Sequence, residues 1–189
     1  SSVIEIKNKY QNLKYPDNEL LKKILPYFKN KKFFNDFYNL NLQLTKYDVR
    51  NSVNDDTLII QSINSIDELD KVINILIKRL REWYELYNPE FSVSTENHEK
   101  FVWEILEKEK NELLKKININ PNESIGADFE QEHLEPIRSL AQQIFDLYQL
   151  RKSQENYISN LMDKLCPNLK AVCGVLIGAK LIEHAKSVK

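Results

Sequence analysis

Apolar residues recur at every seventh position through DDTLIIQSINSIDELDKVINILIKRLREWYELYNPEF, residues 55–91. Ile59, Ile66, Ile73, Leu80 and Tyr87 make one series, and Ser62, Leu69, Leu76 and Trp83 follow three positions further on. This a/d pattern, widened by Ile63, Ile77 and Tyr84, predicts a helix of about four heptads. Asn54 or Asp55 offers its N-cap, and Asn88-Pro89 ends it. A second run carries Leu134, Ala141, Tyr148, Glu155 and Met162 with Ile137, Ile144, Arg151, Ile158 and Leu165. Arg151 and Glu155 fall inside that seam. Either they pair there, within the helix or across to a partner, or the helix turns both to water. Asp128 with Gln131 reads as a capping-box start, and Pro136 as a kink in the first turns.

Between the runs, HEKFVWEILEKEKNELLKKI is a shorter amphipathic stretch with Phe101, Ile105 and Leu113 on its apolar side, followed by the polar turn NINPNESIGAD. Two long heptad helices joined by such an excursion predict an antiparallel hairpin, about 45 Å long for thirty residues. An arm of that length has little core of its own, so its stripe is expected to meet a second copy or another protein. The alternative is an ordinary compact bundle. Ahead of the arm, residues 1–53 read as short helices with the aromatic anchors Tyr27, Phe28, Phe33, Phe34, Phe37 and Tyr38. Asp17 is the expected N-cap of the run Asn18–Leu25, Pro26 its interruption, and the stretch to Tyr47 is helical.

Composition sharpens this picture. Only 3 glycines and 6 prolines in 189 residues favour long helices over hairpins. With 27 basic against 28 acidic residues the formal net charge is -1, which argues against attachment to nucleic acid by bulk charge and leaves room for a local patch. A mean hydropathy of -0.51 and the lack of a long apolar run exclude a membrane span. No signal-peptide pattern opens the chain. Cys166 and Cys173 match no zinc spacing, and on one helix they would stand roughly 10 Å apart, so a reduced, intracellular and structural role is expected.

Signals for chemistry fail one after another. His98-Glu99 begins like a zinc-protease motif, but Val102 stands where the second histidine belongs. His133 and His184 have no partner at metal-ligand spacing. GVLIGAK lacks the Gly-Lys-Ser/Thr core of a phosphate loop and no strand precedes it. No catalytic residue, metal site or cofactor is expected.

The final stretch, CPNLKAVCGVLIGAKLIEHAKSVK, reads as a helix with Asn168 as N-cap. Gly174 and Gly178 lie four apart, and a helix-interior glycine costs about 1 kcal/mol relative to alanine. That cost makes sense if another backbone approaches Gly174, Gly178 and Ala179 closely. The domain to which this helix belongs is expected to continue past it.

Residues 124–189 resemble the Nop-domain family, in its archaeal box C/D small-ribonucleoprotein branch. The resemblance rests on Ile125-Gly126-Ala127-Asp128, Pro167-Asn168-Leu169, Gly178-Ala179-Lys180-Leu181-Ile182 and His184-Ala185, and on RLREWYELYNPEF at 79–91. The family commonly carries arginine where Lys180 stands and glycine where Lys186 stands. The resemblance covers residues 40–189. It implies an all-α fold: a long antiparallel coiled-coil hairpin (54–166, with a helical insertion at 92–127), flanked by a helical remnant of the N-terminal domain (1–53) and the start of a Nop domain (167–189).

It also implies a non-catalytic scaffold for RNA 2'-O-methylation. The expected partners are a second copy of the chain, fibrillarin, a kink-turn-binding ribosomal-protein-like protein and a box C/D guide RNA, in an archaeal cytoplasm. The family's RNA-contacting segment is expected beyond Lys189, so the chain is either a fragment or a natural short form. Ile59, Ile66, Leu69, Ile73, Leu76, Leu80 and Trp83, with Ile137, Ile144, Tyr148, Ile158 and Leu165, are the expected dimer interface. Lys180, Lys186 and Lys189 are candidates to approach phosphate, or are solvent-facing lysines at a helix end. A spliceosomal Nop-type protein, and a helical dimerisation module unrelated to RNA, are the alternatives.

Overall fold

The fold follows from how two long amphipathic helices dispose of their apolar stripes. The computed structural model describes residues 17–187, and every helix and contact below is among them. The chain divides into two units, residues 1–54 and 55–189.

In the first unit, α1 (Asn18–Phe28) is capped by the Asp17 carboxylate, which accepts from Leu20 N at 2.7 Å. It runs through Pro26, contrary to the expected interruption. The amide that proline lacks would lie in an exposed last turn, where water serves the freed carbonyl. α2 (Lys31–Asn51) starts at Asn30, whose side chain accepts from Lys32 N, and continues four residues past Tyr47. None of its residues is buried.

In the second unit, α3 (Asp55–Glu85) and α7 (Gln131–Leu165) form the arm. At 1.5 Å per residue they are about 46 and 52 Å long. They run antiparallel. The C-terminal half of α3, with Ile73, Ile77, Leu80 and Tyr84, packs on Ile137, Ala141 and Ile144 at the start of α7. The N-terminal half, with Ile59, Ile63 and Ile66, packs on Ile158, Leu161 and Met162 at its end. Each fully buried isoleucine contributes about 1.5–3 kcal/mol by leaving water.

The excursion between them folds as α4 (Pro89–Ser94), α5 (His98–Glu107), α6 (Lys110–Lys116) and a 3-10 turn at Pro121–Glu123. Phe91, Phe101, Val102, Ile105 and Leu113 extend the first core cluster. α7 does not begin with the expected capping box. Glu130 occupies the N-cap position without a side-chain bond, and Asp128 lies 3.6 Å from Lys110 Nζ instead.

The C-terminal stretch departs furthest from expectation. It is two helices, α8 (Pro167–Cys173) and α9 (Val175–Ala185), broken at Gly174. Cys166, not Asn168, holds the N-cap position, with Pro167 in the first turn where its missing amide costs nothing. Gly174 sits at φ 75°, and a Cβ there would meet nothing within 4 Å. Its role is conformational, because left-handed backbone favours glycine. Gly178 does face a close neighbour: a Cβ there would lie 2.5 Å from Met162 Cε. α9 thus closes the second core cluster with Ala179 and Ile182.

α9 ends at Lys186, at φ 65°, in the left-handed C-cap conformation. The resemblance places glycine at this position, and left-handed backbone is the geometry glycine adopts without strain. Lys186→Gly is expected to stabilise the chain by about 0.5–1 kcal/mol, read as a rise of about 1–4 °C in thermal unfolding.

Candidate functional site

The arm carries the residues expected to bind partners, and the structure redistributes them. Ile59, Ile66, Ile73 and Leu80 are buried, but their covering comes from this same chain. On α7, Ile137, Ile144 and Ile158 face them in the same seam, while Tyr148 and Leu165 are half-buried. This corrects the expectation that the stripe as a whole waits for a second copy.

A second correction concerns the other series on α3. Leu69 and Leu76 are half-buried and Trp83 is 37% exposed. The seam positions are taken instead by Ile63, Asp70, Ile77 and Tyr84, one place further along. A period of seven cannot choose between partners three or four positions away, since both stand one turn off. Ser62 and Ile63 are both buried, and beyond them the seam follows Asp70, Ile77 and Tyr84. Leu69, Leu76 and Trp83 therefore flank the seam.

Helix geometry gives the arm two sides. Asp67 and Arg81 on α3 lie on the side where α9 and α5 pack: Lys180 Nζ reaches Asp67 at 2.8 Å, and Arg81 engages the excursion. Leu69, Leu76 and Trp83 lie on the opposite side, with Leu140 and Leu147 of α7. Val72 and Leu86 are exposed at that edge. The result is an apolar strip along the uncovered side of the arm.

Midway along the seam the apolar layers stop. Arg151 donates to Asp70 through Nε at 2.5 Å and through a second nitrogen at 3.3 Å, and to Glu155 at 3.3 Å. Of the alternatives the sequence left open, the structure shows pairing, both within α7 and across to α3. The triad lies between the two apolar clusters.

The end of the arm is braced by a joint. The turn Ser124–Ala127 lies against the α3–α4 corner. Glu90 accepts from Ser124 Oγ at 3.0 Å and from Ile125 N at 2.7 Å, and Ala127 N donates to Leu86 O at 2.9 Å. Lys110, mostly buried, donates to the Gly126 and Ala127 carbonyls and sits 4.9 Å from the Tyr87 ring centre. Phe129 stacks on that same ring at 5.5 Å. Burial alone would push the Glu90 carboxyl up, but the amides of Ile125 and Glu90 and the Ser124 hydroxyl hold it below its usual range. Two of the segments that carry the family resemblance, 79–91 and 125–128, are therefore two halves of one contact. Sequence reading found both halves and missed that they touch.

His98, the start of the failed zinc motif, is occupied structurally: its Nδ1 accepts from Arg81 Nε at 2.9 Å. Partial burial and the neighbouring guanidinium hold the imidazole below its usual range, as an acceptor nitrogen requires. Among the described residues no group of three or more His, Cys, Asp or Glu is placed to hold a metal ion. Cys166 and Cys173 are free thiols, and burial pushes the first one up. Of the lysines expected near RNA, Lys180 pairs with Asp67, Lys186 pairs with Glu183 at 2.8 Å, and Lys189 lies outside the described residues.

Residues 65–189 match the family model described as Nop, snoRNA binding domain, fibrillarin. The chain is 36% identical over 183 residues to a NOP5 family protein of Methanocaldococcus jannaschii, covering 87% of this chain and 44% of that protein. It is 35% identical over 150 residues to nucleolar protein 58 of Scheffersomyces stipitis, covering 70% of this chain and 28% of that one. With nucleolar protein 58 of Aspergillus fumigatus the identity is 34% over 147 residues, covering 70% and 25%. The chain thus spans less than half the length of these relatives.

Proposed function

This chain belongs to the Nop family, and on that premise we propose that it is the non-catalytic scaffold of a box C/D small ribonucleoprotein that guides RNA 2'-O-methylation. One observation supports this above the others: the family match takes in most of α3, all of α7 and the α8–α9 pair. An arm of about 50 Å joined to the α8–α9 pair suits a spacer between bound partners. Fibrillarin supplies the methyl transfer in this reading. A small ribosomal-protein-like protein presents the kink-turn of the guide RNA.

The test uses the full-length gene product. It is expected to bind a kink-turn RNA preloaded with the small protein, and to retain fibrillarin in a pulldown. Failure to bind the loaded RNA overturns the reading. Retention of the RNA without fibrillarin favours a spliceosomal type.

Self-association belongs to the same proposal, with its surface moved to the uncovered strip of Leu69, Leu76 and Trp83 with Leu140 and Leu147. Light scattering is expected to give a dimer for the unmodified chain and a monomer for Leu76→Asp with Trp83→Asp. A monomer for both counts against the dimer. Ile73 is unsuitable for this test, since it is 3% exposed and a charge there unfolds the arm.

A further inference from the structure

We propose that the turn between α1 and α2 is a second contact surface, for single-stranded RNA, distinct from the Nop-domain end of the chain. Residues 20–35, LLKKILPYFKNKKFFN, hold Lys22, Lys23, Lys29, Lys31 and Lys32 and not one Asp or Glu, although the whole chain has a net charge of -1. All five lysines are exposed, and none has an ion pair among the described residues.

The arrangement is costly for the chain by itself. Lys31 and Lys32 occupy the first turn of α2, which holds no acidic residue, so they face the positive end of the helix dipole. Like charges gathered this way repel, and a polyanion relieves that repulsion. Around them stand exposed aromatic and aliphatic side chains: Tyr27 is 76% exposed, Phe34, one face of which stacks on Tyr38 at 6.4 Å, 61%, and Leu25 50%. Lys32 Nζ lies 5.8 Å from the Phe33 ring centre. Cations for the phosphate chain beside open rings for the bases are the two components of sequence-tolerant single-strand binding. An anionic membrane also attracts such a surface. RNA is preferred because the family is described by snoRNA binding, so the choice of polyanion rests on the reading above.

The experiment is fluorescence anisotropy of the full chain with a short labelled oligouridine. Contact of about four lysines with phosphate predicts a weakening of about 50-fold between about 50 and 200 mM salt, from a slope of about -0.7 per contact. Lys22→Gln, Lys29→Gln, Lys31→Gln and Lys32→Gln together, which keep helix propensity, are expected to weaken binding more than about tenfold at the lower salt. Lys71→Gln with Lys78→Gln on α3 is expected to change nothing. Tyr27→Ala with Phe34→Ala is expected to weaken oligouridine binding about tenfold while leaving heparin binding unaltered, because only bases stack. No binding of oligouridine, equal binding by the fourfold variant, or tighter retention by phosphatidylserine vesicles than by oligouridine overturns the proposal. The kink-turn assay uses a different RNA and the other unit, so either result can fail without the other.

Discussion

Gly126→Ala is expected to lower stability by about 3 kcal/mol, out of proportion to the one carbon it adds. A Cβ at Gly126 would lie 2.2 Å from the carbonyl oxygen of Tyr87 and 2.7 Å from Pro89 Cδ. Neither can yield cheaply. The carbonyl belongs to the corner that leaves α3, and the proline opens α4 next to the fully buried Asn88. Making room separates the turn from the corner, and with it the Ala127–Leu86 hydrogen bond, the Glu90 bonds and the two carbonyls that hold Lys110. Lys110 would then be a mostly buried cation short of acceptors. Urea unfolding should show a lower midpoint at an unchanged slope. A loss under about 0.5 kcal/mol would mean that the joint is slack. Gly178→Ala is the control, since the atom it meets at 2.5 Å is the end of the flexible Met162 side chain, which can turn aside.

Phe101→Ala is expected to cost about 4 kcal/mol. Phe101 is fully buried, stacked on Phe91 at 5.8 Å and edge-on to Tyr84 at 5.5 Å. The Arg81 guanidinium lies 4.3 Å from its ring centre while donating to the Ser92 and Thr95 carbonyls, each at 2.6 Å. One ring thus joins α3, α4 and α5. Removing it leaves a cavity in the first core cluster and takes from Arg81 the face on which it rests. Hydrogen exchange should show the amides of α5 losing protection before those of α7. Uniform loss across both helices would show that the excursion and the arm unfold as one body.

Much of this was legible in advance, because the arm helices are long and their patterns repeat many times. Their extents, the amphipathic excursion and the all-α class could be read from spacing and a scarcity of turn residues. The family could be read from a handful of short segments, at 79–91, 125–128, 167–169, 178–182 and 184–185. The errors lie where a pattern admits two neighbours of equal standing. The second heptad series on α3 was placed at Leu69, Leu76 and Trp83, where the structure uses Ile63, Asp70, Ile77 and Tyr84. Asp70 could not be recognised as a seam residue, because its reason for being there is Arg151, which lies 81 positions away. Gly174 and Gly178 looked like one packing face, yet one breaks the helix and the other packs. Glycine is compatible with both roles, and only the backbone angle separates them.

The amino-acid sequence alone settled that the chain is helical, where its long helices run, and that it belongs with the Nop proteins. These follow from local preference and from repetition, which need no knowledge of what lies across the fold. The tertiary structure alone decided which stripe faces inward and which is left uncovered. It also decided that an ion triad divides the core and that the signature segments 79–91 and 125–128 close on each other. Each of these depends on groups far apart in the chain meeting at a few ångströms, and burial is a property of what surrounds a residue and not of the residue itself.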